Sequence, residues 1–202
     1  MTEIKKGYTR VSTILSSIPS VTGTKENLQE IWGFSFQEIP QDILERKCVI
    51  GTNVHEAISA TVTNDFFVLT SIERGYFNSY LKWRECINLI PIHSELRLYN
   101  DSLLVTGAVD MIATVGDNEA PQLIDFKTSA CADPKKWLLQ ASFYHYLLSA
   151  DEELAKNLSQ EVLFVQLDKN GGFPKVHAFT IDKKAQTLMI SAYNIYKFLT
   201  DK

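Results

Sequence analysis

Hydrophobic positions recur at steps of three and four over the first ninety or so residues and at steps of two beyond them, so the chain predicts helices first and strands afterwards. Val11, Ile14, Leu15 and Ile18 share a helical face that stops at Pro19, and Leu28, Ile31 and Trp32 mark a second short helix. A third helix is predicted from Gly51, with Val54, Ala57, Ile58 and Val62 on one face. Leu69, Ile72, Tyr76, Tyr80 and Trp83 predict a longer one over residues 65–86. Gly75 inside it costs about 1 kcal/mol relative to alanine.

After Pro91 the period becomes that of strands. Residues 94–99 and 103–115 flank Asn100-Asp101-Ser102, a tripeptide suited to a hairpin turn. A turn at Gly116-Asp117-Asn118 leads into a third strand, residues 122–127. Asp133-Pro134 reads as an N-cap with proline at the first helical position, opening a helix to Ser149. A strand over 162–167, a Gly171-Gly172 turn, a strand over 176–181 and a helix over 183–199 complete the pattern. From residue 51 the order is helices, three strands, helix, two strands and helix, a mixed α/β layout around one sheet.

A chain of 202 residues with no internal repeat fits one domain. It divides into an N-terminal helical extension (1–47), a core (48–170) and a C-terminal strand and helix (171–202). Its apolar runs are too short for a roughly 20-residue membrane span, and the N-terminus has no apolar leader, so a cytoplasmic location is expected. Cys48, Cys86 and Cys131 form no C-x-x-C pair and are too few for a four-cysteine zinc or iron-sulfur site; they are expected to be reduced and buried or incidental. The net charge of −4 disfavours a passive polyanion coat, but permits a local basic groove or a metal-loaded acidic site.

Three D-x-K motifs occur, and two of them, Asp133-Pro-Lys135 and Asp182-Lys-Lys184, fall at predicted helix starts, where aspartate acts as a cap. The third, Asp125-Phe-Lys127, lies in an apolar strand, where its two charges share a face at about 7 Å separation. Asp110 ends the apolar run of the preceding strand, a position that calls for a cation or several donors. Two carboxylates on adjacent strands beside an ammonium can hold a hard divalent ion and attack a phosphodiester. A buried structural ion pair, or an edge strand with a solvated face, accounts for the same residues. Gly51-Thr-Asn-Val-His55 places an imidazole one turn into a helix with a glycine at its entrance, as a packed side chain or a ligand. Gln140 and Tyr144 form an i, i+4 pair on the face of Lys136, which is equally an ordinary helix surface.

In this order, Gly51-x-x-x-His55, Glu95 to Asp110, Asp125-Phe-Lys127 and Gln140-x-x-x-Tyr144 resemble the PD-(D/E)XK nuclease superfamily, in particular its RecB-like exonuclease branch. Thr9-Arg-Val-Ser-Thr-Ile-Leu is similar to the opening of phage-type members. The resemblance implies a restriction-endonuclease-like αβββαβ core with a mixed central sheet flanked by helices. It implies His55, Asp110, Asp125 and the Phe126 carbonyl as ligands of one or two Mg2+ or Mn2+ ions, and Asp110, Asp125 and Lys127 as the catalytic set. Gln140, Tyr144 and Lys136 would order the site and touch DNA, with Glu95 in support and Lys135 in the same basic set.

The resemblance further implies an exonuclease acting on DNA ends or single strands in recombination, repair or phage DNA metabolism, in a bacterial or phage-infected cell. Single-strand-binding, annealing or helicase proteins are the partners such a role implies. No iron-sulfur cluster can be assembled from three cysteines, and no G-x-x-x-x-G-K-[S/T] helicase motif is present. An endonuclease of the same superfamily and a non-catalytic DNA-binding module are the rival readings; the absence of an obvious recognition domain speaks against a restriction enzyme. The aromatic residues Trp32, Phe34, Phe36, Phe66, Phe67, Tyr76 and Phe77 belong to the core or stack bases where a strand enters the site.

Overall fold

The computed structural model describes residues 4–17, 41–116 and 118–200; the predicted stop at Pro19 and the helix around Leu28, Ile31 and Trp32 lie outside them. In chain order the elements are β1 (Thr9–Arg10), α1 (Val11–Ser17), α2 (Gln41–Thr63), α3 (Ser71–Cys86), β2 (Leu89–Asn100), β3 (Val105–Val115), β4 (Asn118–Lys127), α4 (Pro134–Ser149), α5 (Glu152–Ala155), β5 (Glu161–Gln166), β6 (Lys175–Thr180) and α6 (Lys183–Thr200). The αβββαβ order implied by the resemblance runs through them.

Several boundaries differ from the sequence pattern for identifiable reasons. Helix α2 starts at Gln41 rather than Gly51; the described side chains of its first turns, Ile43 and Val49 among them, are exposed, so no buried apolar stripe marks its start. Gly51 is therefore inside the helix and not at its entrance; a Cβ there would meet Thr128 Oγ1 at 3.3 Å. Helix α3 starts at Ser71 rather than residue 65, because Thr70 and Glu73 form a capping box in which Glu73 Oε2 accepts from Thr70 N at 2.7 Å. Ile72, placed by the pattern on the buried face, is 55% exposed in the first turn. Gly75 is explained by close approach: a Cβ would lie 1.8 Å from the Lys169 carbonyl oxygen. Strand β2 begins before Pro91, which its outer edge, unpaired among the described residues, tolerates.

Among the described residues, β1, β3, β4, β5 and β6 neighbour one another in that order, with β2 also paired to β3; β1–β3 and β4–β5 are parallel and the rest antiparallel. Strand β4 is thus interior, which sets aside the solvated edge strand as an account of Asp125 and Lys127. Asp133 caps α4 by accepting from Lys136 N, and Asp182 accepts from Ala185 N at the start of α6, as expected of the other two D-x-K motifs.

Two apolar clusters pack on the two faces of the sheet. One joins Val11, Ile14, Val109, Ile112, Phe143, Leu147 and Phe164 with Met189 of α6; the other joins Val54, Ile58, Tyr80, Trp83, Met111, Ala113, Ile124 and Phe126. Strict alternation along β3 would place Val109 with Met111, yet they fall in different clusters. Alternation therefore slips by one position at Asp110, which sits on the seam between the two cores. The three cysteines are free and exposed, the second of the two alternatives expected of them: Cys48 lies in the first half of α2, Cys86 ends α3 and Cys131 precedes α4. Among the described residues no helix is long and apolar enough to cross a membrane.

Candidate active site

The site forms where the β3–β4 ladder opens. Pairing runs through Ala113↔Gln122, Ile112↔Leu123 and Met111↔Ile124, and the next opposed pair would be Asp110 and Asp125. Instead Asp110 Oδ2 accepts from Phe126 N at 2.8 Å, so a side chain takes the place of the backbone carbonyl that a continuing ladder would supply. In a strand the carbonyl lies on the same edge as the N–H of its residue, so the Phe126 carbonyl faces the same opening.

On the α2–β2 side, His55 Nδ1 lies 3.2 Å from Asp110 Oδ1. Ser94↔Met111 and Leu96↔Val109 pairing leaves Glu95 opposite Asp110, and Glu95 adopts a left-handed φ of 51° within the strand. Ligand atoms of His55, Glu95 and Asp110 lie within 4.8 Å of one another. Burial alone would lower the His55 pKa, but the Asp110 carboxylate, with smaller contributions from Asp125 and Glu95, raises it to about 9. Burial and the Asp110 charge push the Glu95 carboxyl upward. Burial opposes ionisation of Asp110 too, yet the charges of His55 and Lys127 and the Phe126 N–H hold its pKa below the ordinary carboxylate value.

On the β4–α4 side, Lys127 Nζ lies 2.5 Å from Asp125 Oδ2 and donates to Gln140 Oε1 at 3.2 Å. Gln140 Nε2 donates to Asp125 Oδ1 and to the Tyr144 hydroxyl, both at 3.0 Å. The Phe164 ring lies 5.1 Å from the Lys127 ammonium. Asp125 is 1% exposed, and burial, opposed by Lys127, raises its pKa. Burial and the nearby carboxylates raise that of Tyr144, so its hydroxyl keeps its proton. The structure thus brings together His55, Glu95, Asp110, Asp125, Phe126, Lys127, Gln140 and Tyr144. Lys135 and Lys136 are exposed in the first turn of α4, one turn before Gln140.

This arrangement fits a divalent cation. Two carboxylates face each other across β2 and β3, an imidazole and a backbone carbonyl adjoin them, and the buried Oδ2 of Asp125 has no hydrogen-bond partner beyond its ion pair. The sequence model described as PD-(D/E)XK nuclease superfamily matches residues 68–193, well over half of the chain. The chain belongs to the PD-(D/E)XK nuclease superfamily. It is accordingly a hydrolase acting on nucleic acids, and nucleases of this superfamily use divalent metals. The match begins after His55, so the place of that residue rests on its distance to Asp110. No curated protein sequence matches the chain.

Solved structures are similar at a distance, two of them as follows. An exonuclease by assignment from Eubacterium rectale has 9% identity and a TM-score of 0.47, covering 94% of this chain and 78% of its own. LHK-Exo in complex with dAMP has 11% identity and a TM-score of 0.35, covering 74% and 78%. The superfamily assignment rests on the sequence match and not on these likenesses.

A cleft of about 830 Å3 leads from His55, Glu95 and Asp110 of this nuclease along α2 to Phe66 and Phe67. Phe66 is 91% exposed at its rim, whereas Phe77 is buried and Trp32, Phe34 and Phe36 lie outside the described residues. Sequence reasoning missed Arg97, which lines the cleft, and Phe164 beneath Lys127. Glu95-Leu-Arg97 carries two charges at period two in a strand, the same signal that drew attention to Asp125 and Lys127.

Proposed function

We propose that the chain is a Mg2+- or Mn2+-dependent deoxyribonuclease that works as an exonuclease on DNA ends or single strands. The observation that carries this reading is the convergence of Asp110, Asp125 and Lys127 at the opening of the β3–β4 ladder, with His55 and Glu95 beside them. DNA and end-directed cleavage are supported by the resemblance to the RecB-like branch.

His55, Asp110, Asp125 and the Phe126 carbonyl would hold the metal, with Glu95 in support. Bound there, a divalent ion supplies a Lewis acid for the phosphoryl oxygen and lowers the pKa of water. Asp125 and Gln140 fix the Lys127 ammonium, which offsets negative charge developing at the phosphorus and orients the attacking water. Tyr144 accepts from Gln140 and keeps its own proton, which leaves that proton for a phosphate oxygen. The opposed carboxylates require that DNA binding weaken when the metal is removed.

Digestion of 5′- and 3′-end-labelled single- and double-stranded DNA beside a covalently closed circle tests the reading. Mononucleotide release from linear DNA, in magnesium or manganese but not in chelator, with the circle intact, is expected. Cutting of the circle would establish an endonuclease, and DNA binding without any cleavage would leave a non-catalytic module.

A further inference from the structure

Strand β5 runs parallel to β4 in a register that sets Phe164 opposite Asp125 and Gln166 opposite Lys127. Level residues on neighbouring strands point to the same face, so these four side chains share the face that α4 covers. A lysine standing straight off the sheet would rise beside Gln166. Lys127 leans back instead: its Nζ meets Asp125 Oδ2 at 2.5 Å and lies 5.1 Å from the centroid of the Phe164 ring, over the residue pair before its own. Gln166 has other partners, since its Nε2 donates to the Ser129 and Ala130 carbonyls at 2.8 and 3.1 Å and so ties down the chain that leaves β4.

The Phe164 ring is wholly buried and fixed from two directions. Trp137 of α4 stacks on it with centroids 5.5 Å apart and 16° between the planes, and the Phe179 ring of β6 meets it at 5.5 Å and 88°. Trp137 is met in turn by the ring of His177, the β6 residue opposite Phe164, at 5.1 Å. Trp137, Gln140 and Tyr144 recur at helical spacing, so one face of α4 delivers the stacking ring, the amide that accepts from Lys127 and the Tyr144 hydroxyl.

A lysine stem is long and flexible, and its ammonium carries three N–H groups, of which Asp125 and Gln140 engage two. An aliphatic wall on the remaining side would desolvate the charge with no return. An aromatic face attracts it, the more strongly where water is shut out, and the Lys127 side chain is only 20% exposed. Misplacement of a reacting group by about 1 Å can cost about 100-fold in rate. We propose that Phe164, clamped by Trp137, is a positioning residue: its ring holds the Lys127 ammonium over the Asp125–Phe164 pair and so leaves the third N–H for the water and phosphoryl oxygen of the reaction. The use made of that ammonium rests on the nuclease reading. Its confinement by the ring rests on the geometry.

Ordinary core packing would use the same ring, so the test changes the electrons of the ring and not its size. Phenylalanine analogues with one, two and three fluorines are placed at position 164, because fluorine withdraws density from the ring face and weakens its pull on a cation. Phe164→Leu removes the ring and keeps an apolar side chain. Cleavage of linear DNA is followed over substrate concentration in saturating manganese, with manganese affinity and melting temperature measured for each protein. The value of kcat should fall with each fluorine, to a loss of about tenfold in the trifluorinated protein and at least as much in Phe164→Leu, while KM and manganese affinity hold at wild-type values. Independently of cleavage, the Hε signal of Lys127 in protein made with isotope-labelled lysine, identified by its loss in Lys127→Arg, should be displaced by the Phe164 ring current. It should return towards the position of an exposed lysine in Phe164→Leu.

Folded proteins with a flat kcat series would overturn the proposal, as would a loss that follows melting temperature and is indifferent to fluorine count. A protein that cleaves nothing, but in which Phe164→Leu releases the Lys127 signal, would remove the nuclease reading and leave the aromatic confinement of the ammonium standing. Cleavage with a flat series and an unmoved signal would do the reverse.

Discussion

On the β4–α4 side of the site, Lys127, Asp125, Gln140 and Tyr144 hold one another through a connected set of hydrogen bonds, while on the α2–β2 side Glu95 and Asp110 face each other beside His55. The first half is assembled by the protein alone. The second carries a left-handed strand residue, at a cost of roughly 1–2 kcal/mol, together with like charges on opposed strands. The difference teaches that positioning of the ammonium is built into the fold, whereas the opposed carboxylates are left for a cation to reconcile.

The largest effects should come from the groups both halves serve. Lys127→Ala or Asp125→Ala should lower the cleavage rate by about 10²–10⁴-fold in magnesium or manganese, with a melting transition confirming that the variant is folded; digestion at the wild-type rate would sink the catalytic assignment. Next, Gln140→Ala should reduce the rate by about 10–100-fold while metal affinity stays near wild type, because it belongs to the half that the protein assembles. A parallel loss of metal binding would erase the distinction between the halves.

Glu95→Gly removes one of the opposed charges and supplies the residue that a positive φ favours. In chelator it should stabilise the protein by about 1 kcal/mol, seen in urea denaturation, and manganese should then add less to its melting temperature than it adds to wild type. An unchanged manganese increment would show that Glu95 faces no ion. The smallest effect is expected at the cleft rim: Phe66→Ala should weaken single-strand binding by about 1 kcal/mol, measured by anisotropy, and leave duplex binding and metal affinity alone.

The same contrast runs through what the sequence made visible. Asp125 and Lys127 stand out because charges at period two interrupt an apolar strand, and α4 because Asp133-Pro134 announces its start. Thr70-x-x-Glu73 is an equally readable start signal for α3, about six residues after the start that the apolar period alone gives. Other features have no local signature. The described side chains in the first turns of α2 form no buried stripe, the two-residue β1 is held by its pairing with β3, and the positive φ of Glu95 occurs where β2 passes Asp110 of β3. Arg10 and Arg97 are 87 positions apart and line one cavity only because the first two strands both pair with β3.

Calorimetric titration of manganese into wild type, Asp110→Asn and Gln140→Ala tests the central claim most directly. The account predicts saturable binding by wild type, retained binding by Gln140→Ala, and loss of it in Asp110→Asn with the fold preserved. Equal manganese affinity in all three proteins, or no binding by wild type, would contradict it.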